Sequence, residues 1–565
     1  MMAALRTRLA NSLMRQGNQG EARRFAACLA DPAAAQQATL QRILQANAKA
    51  RYGQTYGFGD LDSAAAFQNA VPIVDYDTLV PLIESVMIGQ KNVLTTDPVL
   101  MLEKSSGSTA ASKYIPYTAS LRREFHSATS AWLYDLFTRR PKLCAGGSYW
   151  SISPVVDVRE VTAGGLKVGF EDDTEYFGTI ERWVLGQLLL VPADLRRVSG
   201  MMNNRYVTLR YLLDRDDLGL ISVWNPSFLT LLVQEATTEA DRLIRDLREG
   251  TLNPPDPMPR DLQHRLAAPL RRRPALADKL AALLRHNGKL LGTDLWPNLQ
   301  LISCWTSGIA SRFLPEMTAL FPDVEIQGKG LLATEGVVSF PLLNHPGSAL
   351  SLRSHFYEFL PLGVECRPLL AHELTLGERY TVLMTTGGGL YRYALHDVIE
   401  VVGSLNGTPL IDFVGKDSKI SDVVGEKLNE LHVGEVLSAA TADLPVGFVM
   451  LAPEWGQPPA YTLFIACVRL SNDDLNRLVA TIETRLRHNH HYAYARDLRQ
   501  LGPLSAVRVG AQAPDHYLQA CEAMGQKAGD IKPTYLHKAF GWRDRFHAPT
   551  TKDPHDDRLP SAPAG

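Results

Sequence analysis

The chain has 565 residues, with 58 Lys and Arg against 60 Asp and Glu and a formal net charge of -2. Its 45% hydrophobic content is that of a packed globular protein, which excludes a disordered chain and a disulfide-dependent miniprotein. Near-balanced, scattered charge excludes a coat for nucleic acid or for an anionic membrane.

At about 100–200 residues per domain, the length allows three or four domains, or one large domain and a smaller one. Residues 1–15 carry basic side chains and no acid, and they lack the continuous apolar stretch of a secretory signal. An amphipathic surface helix is expected there. Leu40, Ile43 and Leu44 recur at helical spacing, and residues 60–63 look like a loop and cap ahead of another helix. Residues 92–102 are extended and apolar and run into a small, polar stretch that ends at Lys113. Helical patterns at 120–138, 180–192 and 229–249 then alternate with short β-type runs at 219–224, 299–305, 324–327 and 381–384. That alternation argues for an α/β fold with layered sheets. Pro254, Pro255, Pro257 and Pro259 make 253–260 a surface loop, and helix resumes at 260–284. A strand-like run at 410–414 meets Gly415 and Lys416. Beyond it an α+β pattern follows: helix 429–441, strands 447–452 and 460–468, helix 472–487. The expected division is a domain of residues 1–412, a second of 413–547, and a Pro- and Asp-rich disordered tail, 548–565.

Two compositional details bear on chemistry. The six cysteines form no CxxC pair and stand beside no metal-spaced His, so they read as buried apolar residues of a reducing, cytoplasmic protein. No run approaches the about 20 apolar residues that span a bilayer. Only 16 of the 58 basic residues are Lys, and six of these fall within 416–427 and 527–538. Such clustering is either chance or a need for point charges on flexible stems.

Four stretches could carry chemistry. Ser105, Ser106, Gly107, Ser108 and Thr109, closed by Lys113, suit a backbone cradle for phosphate without Walker spacing; the alternative is a polar surface turn. Residues 328–336 (Gly-Lys-Gly-Leu-Leu-Ala-Thr-Glu-Gly) set an acid among glycines, as a ligand for a hard cation or as a turn or cap. Residues 390–397 join an aromatic–Arg strand to Asp397 at a loop, where a carboxylate can accept both hydroxyls of a ribose or simply bond its own backbone. Lys416, Lys419 and Lys427, with the distant Lys532 and Pro533, are the fourth, with a solvated basic face as the alternative.

The order of these stretches resembles the adenylate-forming superfamily of acyl-CoA synthetases, luciferases and adenylation domains. Within it, the chain is most similar to the Gretchen Hagen family of auxin-responsive acyl acid amido synthetases and their bacterial relatives. The resemblance runs from about residue 52 to 536. It includes residues 68–76 and Pro81, residues 304–308 (Cys-Trp-Thr-Ser-Gly), residues 356–361, and Gln526 through Lys532 and Pro533. It implies a large layered α/β N-terminal domain of the adenylate-forming fold and a smaller, mobile α+β C-terminal domain. It also implies two half-reactions. A small carboxylic acid and ATP give acyl-AMP, and an amine, usually an amino acid, then takes the acyl group. ATP and Mg²⁺ are the implied cofactors, with no nucleic acid or membrane partner and a monomeric chain.

Residue by residue, the resemblance gives Ser105, Ser106, Gly107, Ser108 and Thr109, with Lys113, to the phosphates. Thr334 and Glu335 form the second motif, with Glu335 the Mg²⁺ ligand. Thr306, Ser307 and Gly308 line the adenine pocket, and Asp397 is the ribose acid. Lys416 stands where the family often has Arg, Lys427 follows at the family's spacing, and Lys532 is the mobile lysine that meets the α-phosphate. Catalysis is thus assigned to Lys532, Lys427 and Glu335. The departures are Ala110 and Ala111, where relatives usually carry a Gly, and His396, where most have Gly. Two other outcomes stay open: transfer to CoA, a carrier thiol or an alcohol, and a degenerate binding protein.

Overall fold

Helical spacing in the first hundred residues becomes helix, and Asp31, Ser63 and Asp75 cap three of the helices. The computed structural model describes residues 2–105, 113–151, 161–169, 190–362, 366–417, 420–467, 470–524, 526 and 531–547. The expected helix at 180–192 lies almost wholly outside them, and the tail at 548–565 entirely so. Helix Pro32–Asn47 buries Leu40, Ile43 and Leu44; Asp31 caps it by accepting the Ala34 N–H at 2.9 Å. Ser63 likewise caps helix Ala64–Ala70. Helix Met2–Cys28 is more than a surface helix. It packs on helix Ala119–Arg139, where the Ser127 hydroxyl donates to Glu21 at 2.7 Å, and Asn11 donates to the Gly146 carbonyl at 3.0 Å.

Two sheets organise the first compact unit, residues 1–417 with 527–532. One has four parallel strands in the order Gly147–Trp150, Leu218–Ser222, Leu301–Ser303, Glu325–Gln327. Its inner strands are buried throughout, as parallel strands covered by helices are. The other sheet is antiparallel, in the order Ser339–Pro341, Ser348–Leu350, Thr408–Lys416, Tyr393–Leu405, Arg379–Thr385, Phe356–Pro361, Leu369–Leu370. Each sheet has its own apolar core. Ile221, Leu229, Leu243 and Ile302 pack around the first; Leu44, Phe67, Tyr357 and Ile399 pack around the second. A fully buried side chain of this size stabilises by about 1.5–3 kcal/mol.

The pattern at 229–249 resolves into two helices, Pro226–Thr238 and Ala240–Glu249. That at 260–284 resolves into Arg260–Ala267 and Pro274–Asn287: Pro269 follows the first, and Pro274 opens the second, where its missing N–H costs nothing. Residues 413–416, read from sequence as the start of the second domain, complete strand Thr408–Lys416 and belong to the first unit.

The second unit, residues 418–526 with 533–565, is α+β. Strand Ala460–Cys467 pairs antiparallel with Val446–Glu454 and parallel with Ser505–Arg508. Helices Glu430–Ala440 and Asn472–Leu486 bury Val433, Leu437 and Ile482 into its core. Cys304 and Cys521 are buried as expected, but Cys366 is exposed. Among the described residues no helix is long and apolar enough to cross a membrane.

Candidate active site

The charged centre is built on one antiparallel pair. Asp397 and Lys416 stand opposite each other on strands Tyr393–Leu405 and Thr408–Lys416, and Lys416 Nζ lies 2.9 Å from Asp397 Oδ1. The same ammonium donates to the Leu395 carbonyl at 3.3 Å. Asp397 is only 3% exposed. Burial alone would push the Lys416 ammonium down; Asp397, with Glu335 and Asp417, outweighs that, so its pKa is raised and it stays charged.

The structure does not place Asp397 at a loop, the position expected from the sequence. It lies inside the 13-residue strand Tyr393–Leu405, and the backbone turns out of regular pairing beside it. His396 has φ +61 and its Nδ1 lies 2.8 Å from Asp417 Oδ1. The left-handed conformation that a Gly would adopt freely is therefore kept, with a His in it. Arg392 (φ +48) and Lys427 (φ +43) share that feature. Strained non-glycine backbone of this kind clusters at functional sites.

Thr334 and Glu335 form the two-residue turn between Leu332–Ala333 and Gly336–Val337. Gly336 is required there, since a Cβ would lie 2.5 Å from His355 Nε2. Glu335 is buried, and its carboxylate adds to the field on both Lys416 and Tyr393. Burial first, then Glu335, Tyr76, Asp75 and Asp397, hold the Tyr393 phenol protonated and so a donor. Lys113 closes this group: its ammonium donates to the Tyr393 hydroxyl at 3.4 Å and sits 5.4 Å from the Tyr76 ring centre. Tyr76 arrives because residues 68–76 dock on the same strand. The Val74 N–H donates to the Arg392 carbonyl, and Arg392 donates to the carbonyls of Gln68 and Val71. Arg392 is a clamp, bonded through Nε and Nη2 to the buried Glu358.

The second group gathers at the carboxyl ends of the parallel strands, where open α/β sheets bind ligands. Thr306, Ser307 and Gly308 follow strand Leu301–Ser303. Ser307 donates to Asp412 at 2.5 Å, and Gly308 has φ +62. Trp305 precedes them, 5.7 Å from Trp224, and Lys532 Nζ lies 4.9 Å from the Trp305 ring centre. Lys329 follows strand Glu325–Gln327, over the rings of Trp150 and Trp224. A surface cleft beside Arg215, Arg273 and Trp296 lies at the amino ends of these strands, away from every residue the sequence singled out.

The structure thus brings Lys113, Thr334, Glu335, Asp397 and Lys416 into one centre. Thr306, Ser307, Gly308 and Lys532 fall in the neighbouring group. Ser105 ends strand Val99–Ser105, in register with Lys113; Ser106, Gly107, Ser108 and Thr109, with Ala110 and Ala111, lie outside the described residues. Lys427 is exposed in the second unit and accepts Asn489 at its carbonyl. Arg205 pairs with Glu235 at 3.7 Å. Sequence reasoning missed Tyr76, Tyr393 and Lys329. The last had a signal, being a Lys between two glycines in a Lys-poor chain. Among the described residues no three His, Cys, Asp or Glu converge as a metal cage. One buried carboxylate, Glu335, suits Mg²⁺, which takes most of its ligands from phosphate and water.

A model of the GH3 family N-terminal domain matches residues 21–326, and one of the GH3 family central domain matches residues 348–416. The jasmonoyl–L-amino acid synthetase JAR4 of Nicotiana attenuata is 23% identical over 432 residues, 72% of this chain and 73% of that protein. The indole-3-acetic acid-amido synthetase GH3.10 of Arabidopsis thaliana is 25% identical over 524 residues, 83% and 86% of the two chains. Among solved structures, the GH3.15 acyl acid amido synthetase superposes with a TM-score of 0.78 at 19% identity, over 93% of this chain and 95% of that one. A 2-hydroxyisobutyryl-CoA ligase in its postadenylation state gives 0.52 at 10% identity, over 91% and 90%. The last two show a shared fold.

Proposed function

The chain belongs to the GH3 family, and on that premise we propose that it is an ATP-dependent acyl acid amido synthetase. In the first half-reaction a carboxylate oxygen of a small acid attacks the α-phosphorus of ATP, and pyrophosphate leaves. In the second, an amine attacks the acyl carbon of acyl-AMP, the C–O bond to AMP breaks, and an amide forms. Chemistry of this kind depends on positioning and on neutralising phosphate charge rather than on a covalent protein nucleophile.

The observation that carries the reading is the Asp397–Lys416 pair beside Glu335 and the Lys113–Tyr393 hydrogen bond. We assign Asp397 to the ribose hydroxyls, with Lys416 fixing its orientation. Lys113, Lys416 and the Tyr393 hydroxyl face the phosphates. Glu335 would hold Mg²⁺, which neutralises phosphate oxygens when bound. Lys532 serves adenylation, as the phosphate-loop residues 105–109 do, and Lys427 serves with the mobile second unit, which turns between the half-reactions. The named relatives join acids to amino acids or form amides, which favours an amine over a thiol as acceptor. Six free cysteines and ATP as co-substrate fit a reducing, cytoplasmic setting.

Acid, ATP and Mg²⁺ are supplied with an amino-acid panel or with CoA, and products are read by mass alongside ATP–pyrophosphate exchange. Amide is the expected product. Thioester without amide would reassign the acceptor, and no exchange with any acid would remove the enzyme reading.

A further inference from the structure

Lys329 is fixed where no described protein group calls for a cation. Its neighbours leave its loop little freedom. A Cβ on Gly328 would lie 2.7 Å from Thr306 Oγ1, and Gly330 has φ +73 with its Cβ position 2.4 Å from the Ser339 carbonyl oxygen. The ammonium donates to Ser222 Oγ at 2.6 Å and lies 4.9 Å and 5.8 Å from the ring centres of Trp224 and Trp150. Aromatic faces offset part of the cost of burying a cation. An ammonium has three donors, however, and one hydroxyl takes only one of them. Among the described residues no carboxylate pairs with Lys329, and Cys304 is the one ionisable group that acts on it. Burial pulls Lys329 down to about 8 and pushes the Cys304 thiol up to about 12, so Cys304 supplies no counter-charge at neutral pH.

The location completes the argument. Trp150 and Ser222 end their strands, Trp224 lies two residues past the second, and Lys329 lies two past the fourth. These rings and the lysine are only partly buried, at the strand ends where a ligand would lie. Lys416 ends a strand of the antiparallel sheet, whereas Lys329 follows a strand of the parallel one. The two cations therefore serve different ends of whatever binds.

We propose that Lys329, walled by Trp150 and Trp224, receives a second acidic group on the acid substrate. The substrate class is a flat, aromatic or conjugated acid with two anionic groups. One is activated at the Asp397–Lys416 end, and the other is held by ion pairing at Lys329. This rests on the amido synthetase reading.

The test compares acids of one skeleton, benzoate and isophthalate, by ATP–pyrophosphate exchange and by tryptophan fluorescence without ATP, using the full chain. The expected isophthalate-to-benzoate ratio of kcat/KM is above tenfold. Lys329→Met should cut that ratio by roughly 10–100-fold, the effect of losing a hydrogen bond to a charged group. Lys329→Gln repeats the measurement should the first variant fold poorly. Equal losses for both acids, a rise in KM for ATP alone, or a wild-type preference for benzoate would overturn the proposal. If neither acid supports exchange, the enzyme reading is what fails. Fluorescence then still decides: quenching by isophthalate over benzoate that is lost in Lys329→Met supports the site, and equal quenching refutes it.

Discussion

Lys416 and Lys329 keep a charge inside the same unit by opposite means. Lys416 is paired: a carboxylate faces it across a β-ladder, and two more carboxylates deepen the field. Lys329 is walled: two indole faces and a hydroxyl stabilise it without a counter-charge among the described residues. A paired cation gives a rigid polar frame, suited to a ligand such as a nucleotide that brings hydroxyls as well as charge. A walled cation keeps its charge available, and a bound anion gains most where water is scarce.

The sharpest break of the comparison is to remove the pairing. Asp397→Ala leaves the Lys416 ammonium facing Glu335 and Asp417 alone, and breaking such a pair costs about 3 kcal/mol. Urea denaturation should register that loss, and pyrophosphate exchange should fall to background. Lys329→Met removes a cation that pairs with no described carboxylate, so its denaturation midpoint should hold or rise. If the two variants destabilised equally, the distinction between paired and walled would be empty.

Glu335→Gln comes next. The Asp397–Lys416 pair survives it, so the fold should change by less than about 1 kcal/mol. Exchange should fall by about 10²–10³-fold, the cost typical of losing one preorganised electrostatic group. A loss below about fivefold would take Glu335 out of the proposed phosphate centre.

The third prediction is a pH signature with opposite signs for the two lysines. The folded Lys329 titrates at about 8 against an ordinary 10.5. Below pH 8 it is charged in both folded and unfolded chains. Between 8 and 10.5 the folded chain sheds the proton first, so this group's contribution to stability rises across that window. Isophthalate binding should weaken as pH passes 8. Lys416 has a raised pKa, so its pair is fully formed below 10.5 and weakens only above it. Fluorescence titration from pH 7 to 9.5 reads the first effect. A flat binding curve would mean that Lys329 does not carry the charge that isophthalate meets.

What the sequence made legible, and what it left out, has physical reasons. Glu335, Asp397 and Lys416 stood out because each lies in a short stretch whose residue types declare a polar site. Asp397 and Lys416 meet because Tyr393–Leu405 pairs with Thr408–Lys416, of which the sequence showed only separate strand-like runs. Trp150 and Trp224 are two of eight tryptophans, with no motif to single them out. Sequence carries no sign of the strand order that sets Gly147–Trp150 beside Leu218–Ser222, and that order brings both rings to Lys329. Asp397 was expected at a loop because a left-handed residue inside a strand leaves no trace in period-two hydrophobicity.

That residue, His396, carries the smallest prediction and tests how the paired centre is held in place. A β-carbon in the left-handed region costs about 1–2 kcal/mol, which Gly avoids. Against this, the His396 ring bonds Asp417, which also accepts the Thr381 hydroxyl at 2.9 Å and adds to the field on Lys416. His396→Ala loses the bond and keeps the strain. His396→Gly loses the bond and the strain together, at some cost in unfolded-chain entropy. The Gly variant should therefore be more stable than the Ala variant by about 0.5–1 kcal/mol, with wild type near the Gly variant. If Ala were the more stable of the two, the left-handed backbone would relax once the ring is gone, and the ring's bond to Asp417 would be what bends the strand beside Asp397.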